Sequence, residues 1–204
     1  TFILCVGSFE FSITWPVIWG LYYIFVDKQS FSSNKNSLTK SAITLLPYIL
    51  ISIVYLTLRL IFIEIPQIPE YKIILNLDSV KAFFWYVLWT FNIPEEFKKQ
   101  IVSKLLYFNP VFLAEFWPLV VKSLTGFLWL ITLAIVIPLY STIKNKGKMN
   151  YRLLTFLLIW FLVGISPVLI IPNHTFTMYL TLSSIAAYML ISYLIVLSRS
   201  IHLM

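Results

Sequence analysis

The chain has 204 residues, of which 60% are hydrophobic, 18% aromatic and only 11% charged, with a formal net charge of +7. The charged share is about half that of a soluble protein, which excludes an ordinary water-soluble globular domain. The basic excess would point to nucleic acid in a soluble chain. Here the lysines and arginines lie between apolar runs, so they read as membrane topology, with no nucleic-acid partner.

The first apolar run, residues 1–26, opens at Thr1 with no basic leader and no small-residue cleavage site, so the sequence reads as a fragment lacking its natural N-terminus. Its one cysteine, Cys5, leaves no internal disulfide or thiolate metal site. A second run, residues 42–63, carries Arg59, and a third covers residues 117–140. Residues 153–198 contain no Lys, Arg, Asp or Glu. At about 1.5 Å per residue that stretch is roughly twice the thickness of a bilayer core, so it must cross twice, as spans 153–171 and 179–198 split near Pro172. The expected fold is all-α: a polytopic transmembrane bundle of five spans forming one domain.

Between the second and third spans lies an outer loop, residues 64–116, long enough to carry structure of its own. Val80 to Asn92 is short and contains Lys81, which suits a re-entrant or interfacial helix better than a span. After it, Pro94, Glu95 and Glu96 suit a helix start, and Phe97, Ile101, Leu105 and Phe108 recur at helical spacing, predicting an amphipathic surface helix.

Charge arbitrates the count. With five spans, Lys28, Lys35, Lys40, Lys144, Lys146, Lys148, Arg152 and Arg199 share one side with only Asp27 opposing them, while Glu64 to Lys122 on the other side carries six Lys and six acids and is neutral. The expected protein is therefore integral and multi-pass with a cytoplasmic C-terminus. Pro16, Pro47, Pro138 and Pro167 interrupt four of the spans, each freeing a carbonyl that a neighbouring helix, a Ser/Thr hydroxyl or water must satisfy.

Glu10 is the one acid, and Arg59 the one guanidinium, inside an expected span. Counted from the shared inner loop, both fall at about the same height in the outer half of the membrane. They suit either a buried ion pair or a phosphate clamp, in which Arg59 offers its donor fork to a phosphate and Glu10 holds it. His174 in the turn Pro172-Asn173-His174-Thr175, and Tyr179 beyond it, fall on the same outer side, as do the aromatics Trp85, Tyr86 and Trp89. Bland roles as cap and belt residues are open to both His174 and Tyr179. No metal cluster, phosphate-binding glycine loop or nucleophile motif is present, so the residue chemistry identifies no catalytic group and no cofactor in this chain.

Three stretches together resemble the GT-C superfamily of membrane glycosyltransferases, especially the protein O-mannosyltransferase-like and tetratricopeptide-containing mannosyltransferase-like branches. Ser8-Phe9-Glu10 followed by Pro16 is similar to a Ser-Lys-Glu…Pro helix, with Phe9 in the lysine position. Pro47-Tyr48 through Tyr55-Leu56 to Arg59 is similar to a Pro-Tyr…Tyr-Leu-x-x-Arg helix. Trp160-Phe161, Pro167, Pro172-Asn173-His174 and Tyr179-Leu180 resemble a late Trp-Phe…Pro…Pro-x-His…Tyr-Leu pattern. The resemblance implies transfer of a sugar from a polyprenyl-phosphate carrier to an acceptor on the outer face. The residue reading takes Glu10, Arg59, His174 and Tyr179 as substrate-binding candidates, and the resemblance implies membrane lipid and the polyprenyl-phosphate donor as partners and a catalytic acid in an absent N-terminal part. Two other classes stay open: a noncatalytic membrane scaffold, and a transporter or flippase subunit.

Overall fold

The computed structural model describes residues 2–4, 10–27, 35–62, 68–100, 109–144 and 149–200. All regular structure among them is helical, as expected. A 3-10 turn, Glu10–Thr14, leads into α1 (Trp15–Phe25); α2 is Lys35–Phe62, α3 Leu77–Thr90, the short α4 Glu96–Lys99 and α5 Pro110–Ile131. A π-helical segment, Thr132–Val136, joins α5 to α6 (Ile137–Lys144); α7 is Tyr151–Leu169, and a further 3-10 turn, Thr177–Leu180, opens α8 (Thr181–Ser200).

Among the described residues, four helical stretches are long and apolar enough to cross a membrane: Ala42–Phe62, Pro110–Lys144, Tyr151–Leu169 and Thr177–Ser198. They correspond to four of the five expected spans. The first expected span, residues 1–26, is described only in part, with residues 1 and 5–9 outside the described residues. Its described part is a 3-10 turn followed by an α-helix of only 11 residues. The rings of Phe2 and Trp19 both flank Tyr48, at 5.4 and 6.3 Å, whereas one straight helix would set their backbones about 25 Å apart. Residues 2–4 and α1 therefore do not belong to one straight helix.

The third span also departs from expectation, beginning at Pro110 instead of residue 117 and shortening the long loop accordingly. Asn109 supplies the start signal: its side chain accepts a hydrogen bond from the Val111 N–H at 3.0 Å, with Pro110 in the first helical position. The helix kinks at Phe116 (φ −111°, ψ 17°), where Pro118 removes a donor and crowds the preceding turn. Further along, the π-helical segment directly precedes Pro138 and opens the ladder where that proline cannot donate.

Helix α7 is the centre of the bundle. Its first half packs Phe156, Leu157 and Trp160 against Ile18 of α1 and Leu182 and Ala186 of α8. Its second half packs Ile165 and Val168 against Tyr86 and Trp89 of α3, Val120 of α5 and Leu180. Pro167 sits within it, and the Ser166 hydroxyl donates to the Val163 carbonyl at 2.9 Å, the acceptor that the proline leaves free. Gly164 allows α7 and α8 to touch: a Cβ there would run into the Ser183 hydroxyl and lie 3.3 Å from the Ser183 Cα. By contrast α2 and α5 leave most of their apolar surface uncovered, as suits helices facing lipid.

Helix α3 starts at Leu77, capped by Asn76, whose Oδ1 accepts from the Asp78 N–H at 2.8 Å. At 14 residues it is about 21 Å long, too short to cross a bilayer core. Lys81 is paired with Asp78 at 2.7 Å on its exposed side. The expected surface helix after Pro94 is described only as α4, because residues 101–108 lie outside the described residues. Its first apolar residue, Phe97, is buried in the core cluster with Tyr86 and Trp89, as the inward face of an amphipathic helix would be.

Candidate functional site

One end of the bundle gathers the C-terminus of α3, the turn 91–95, α4, the connection 170–176 and the N-terminus of α8. The turn is built by Asn92, whose φ of 63° places it in the left-handed region that asparagine tolerates better than most residues. Around it, the Asn92 N–H bonds the Trp89 carbonyl at 3.0 Å and the Ile93 N–H bonds the Leu88 carbonyl at 3.3 Å, the paired bonds of a Schellman cap. Ile93 is thereby buried in the core, and Pro94, Glu95 and Glu96 come out as a rim.

Two side chains fasten that rim to the connection before α8. Glu95 Oε2 accepts from the Thr177 backbone N–H at 3.0 Å and from the Thr177 hydroxyl at 2.9 Å. The Lys98 ammonium donates to the hydroxyl of the buried Thr175. Burial holds the Lys98 amine below the usual lysine range, and the neighbouring Glu95 carboxylate acts in the opposite sense.

Between these elements opens a cleft of about 630 Å³. Asn92, Glu95 and Glu96 form one wall; Thr177, Thr181 and Ser184 form the facing wall, with Trp89 and Tyr188 as aromatic surface. The Tyr188 hydroxyl donates to the Thr90 carbonyl at 3.2 Å, which fixes the ring against the end of α3. The indole N–H of Trp89 is buried without a hydrogen-bond partner among the described residues. Among the described residues, two carboxylates and no lysine or arginine line the cleft. That charge pattern suits hydroxyl-rich or cationic groups and opposes phosphate.

Beside the cleft, His174 lies in an aromatic group. Its ring centroid is 4.2 Å from Tyr71, 4.9 Å from Phe176 and 6.0 Å from Tyr179. The 3-10 turn Thr177–Leu180 presents Thr177 and Leu180 to the cleft and Tyr179 to this group, so His174 and Tyr179 are neighbours at its edge. Tyr86 is a core residue, while Trp89 reaches both core and cleft.

Arg59 is half-buried in the last turns of α2, a helix whose main packing is against α1. The Glu10 side chain lies outside the described residues, and with it the expected Glu10–Arg59 pairing. The residues that the sequence reading missed as site residues are Glu95, Glu96, Thr177, Ser184 and Tyr188. An adjacent pair of acids directly after a proline, between two aromatic-rich segments, was the available signal. Among the described residues no cluster of His, Cys, Asp and Glu could hold a metal ion. Comparison with family models, curated proteins and solved structures gives no match for this chain.

Proposed function

We propose that this chain is part of an integral-membrane glycosyltransferase that moves a sugar from a polyprenyl-phosphate carrier to an acceptor, with the cleft on the outer face. The observation that carries the reading is the cleft itself. A carboxylate rim, a hydroxyl-bearing facing wall and the exposed Tyr188 ring at the end of an apolar bundle are what a sugar needs: partners for its hydroxyls and flat surface for its C–H face. The resemblance of the Glu10, Arg59 and His174–Tyr179 segments to GT-C transferases adds the reaction class. In this reading Arg59 takes the carrier phosphate with its fork and Glu10 holds the fork, while His174 and Tyr179 flank the sugar.

The test is sugar transfer by the full-length protein in liposomes to an added alkyl glucoside, whose hydroxyl takes the sugar, read as release of polyprenyl phosphate from a panel of polyprenyl-phosphate hexoses. Release is expected with at least one donor. Arg59→Lys and Glu96→Gln should each slow it about tenfold or more, and Tyr179→Phe only a few-fold. Absence of release with every donor, or full activity in both Arg59→Lys and Glu96→Gln, overturns the proposal.

A further inference from the structure

The polar cleft does not end at Tyr188. That residue also lines a second, apolar groove of about 450 Å³ between α7 and α8, whose other walls include Leu153, Leu157, Ile185, Met189 and Ser192. On α8 the residues Thr181, Ser184, Tyr188 and Ser192 recur at helical spacing, so cleft and groove lie along one face of that helix. From Thr181 to Tyr193 this face runs about 18 Å. It changes character at Tyr188, with hydroxyls and carboxylates on one side and Ile185, Met189 and Leu157 on the other. The hydrogen bond from Tyr188 to the Thr90 carbonyl holds the ring at the junction.

From this continuity we infer that cleft and groove form one binding site for an uncharged glycolipid, its sugar in the cleft and its hydrocarbon chain in the groove past Tyr188. The charge pattern selects the headgroup. Glu95 and Glu96 can accept from sugar hydroxyls, and the lining has no cation among the described residues to offer a phosphate. An anionic lipid would bring its charge against two carboxylates, so a neutral headgroup is preferred. In a transferase this site would hold a lipid-linked acceptor or product, apart from the phosphorylated donor. The inference rests on reading the cleft as a sugar site, but binding can be measured without turnover.

The experiment uses the full-length protein in phosphatidylcholine nanodiscs and an alkyl glucoside carrying a diazirine in its chain. Photolabelling should saturate and map to the peptide containing Met189. It should be displaced by unlabelled alkyl glucoside at concentrations at least tenfold below those needed of a single-chain phosphatidylglycerol. Ser184→Trp, which fills the cleft, and Met189→Trp, which fills the groove, should each cut labelling about tenfold. Because either tryptophan could disturb folding, Glu96→Lys at an exposed position is the second variant. It should fold normally and lose the preference for the glucoside over the anionic lipid. Labelling that does not saturate, as for bulk bilayer lipid, overturns the inference; so does equal displacement by both lipids, or an unchanged preference in Glu96→Lys. Saturable labelling without sugar release would overturn the transferase reading alone, and release without saturable labelling would overturn this site alone.

Discussion

Glu95 and Thr177 are 82 positions apart in sequence, yet one carboxylate oxygen of Glu95 receives both the backbone N–H and the hydroxyl of Thr177. The pair closes the end of the bundle, joining the turn after α3 to the start of α8. Both residues are partly solvated, so each bond is worth about 1 kcal/mol at most. Glu95→Ala and Thr177→Val should each lower stability by about 1 kcal/mol. The double variant should lose less than the sum of the two, as measured by thermal unfolding in detergent. Strict additivity would show that the contact carries no coupling energy.

Gly164 and Ser183 set the spacing of α7 and α8. A methyl group at Gly164 meets the Ser183 hydroxyl first and the Ser183 backbone next. Gly164→Ala should therefore cost about 1–2 kcal/mol and Gly164→Val about 3 kcal/mol. The Ser183 hydroxyl is buried and has no hydrogen-bond partner among the described residues. Ser183→Ala should be neutral or stabilising by up to about 1 kcal/mol and should relieve part of the Gly164→Ala cost. Equal destabilisation by Gly164→Ala in both backgrounds would contradict the close contact.

Asn92 shapes the rim through its left-handed backbone. Asn92→Gly should keep the turn and leave the melting temperature within a degree or two, since glycine adopts this conformation readily. Asn92→Val should cost roughly 1–2 kcal/mol, because a β-branched side chain is strained there. If the valine variant melts with the wild type, the turn does not have the backbone described.

Lys98 gives a pH signature. Its folded amine lies below the ordinary value of 10.5 because burial disfavours the ammonium. Between the folded value and 10.5 the unfolded chain binds more protons, so this residue's contribution to stability becomes more favourable as pH rises through that window. Below the window both states are protonated, and the burial cost is fully present. The difference in melting temperature between wild type and Lys98→Met should therefore shift toward the wild type as pH rises toward 10.5. A difference that stays flat with pH would mean that Lys98 titrates as a solvated lysine.

The sequence by itself determined the solvent and the helical class. An uncharged run from 153 to 198 can satisfy its backbone in lipid only as helices, and α7 and α8 fall within a few residues of the expected bounds. The short length of α3 was legible for the same reason, since 14 residues cannot span. Local start signals at Asn76, Asn109 and Asn150 were also present in the sequence, but a strong apolar period masks where a helix begins, and the Pro110 start shows the consequence.

Only the tertiary structure decided which polar groups meet. Nothing in the order of residues brings Glu95 to Thr177, Tyr188 to Thr90, or His174 to Tyr71, because those contacts are set by how α3 and the connection before α8 pack on α7. Depth along a helix can be counted from sequence, whereas direction around the bundle depends on close fits such as Gly164 against Ser183. That is why Glu95 and Glu96, read as favourable charges at a helix start, line the cleft.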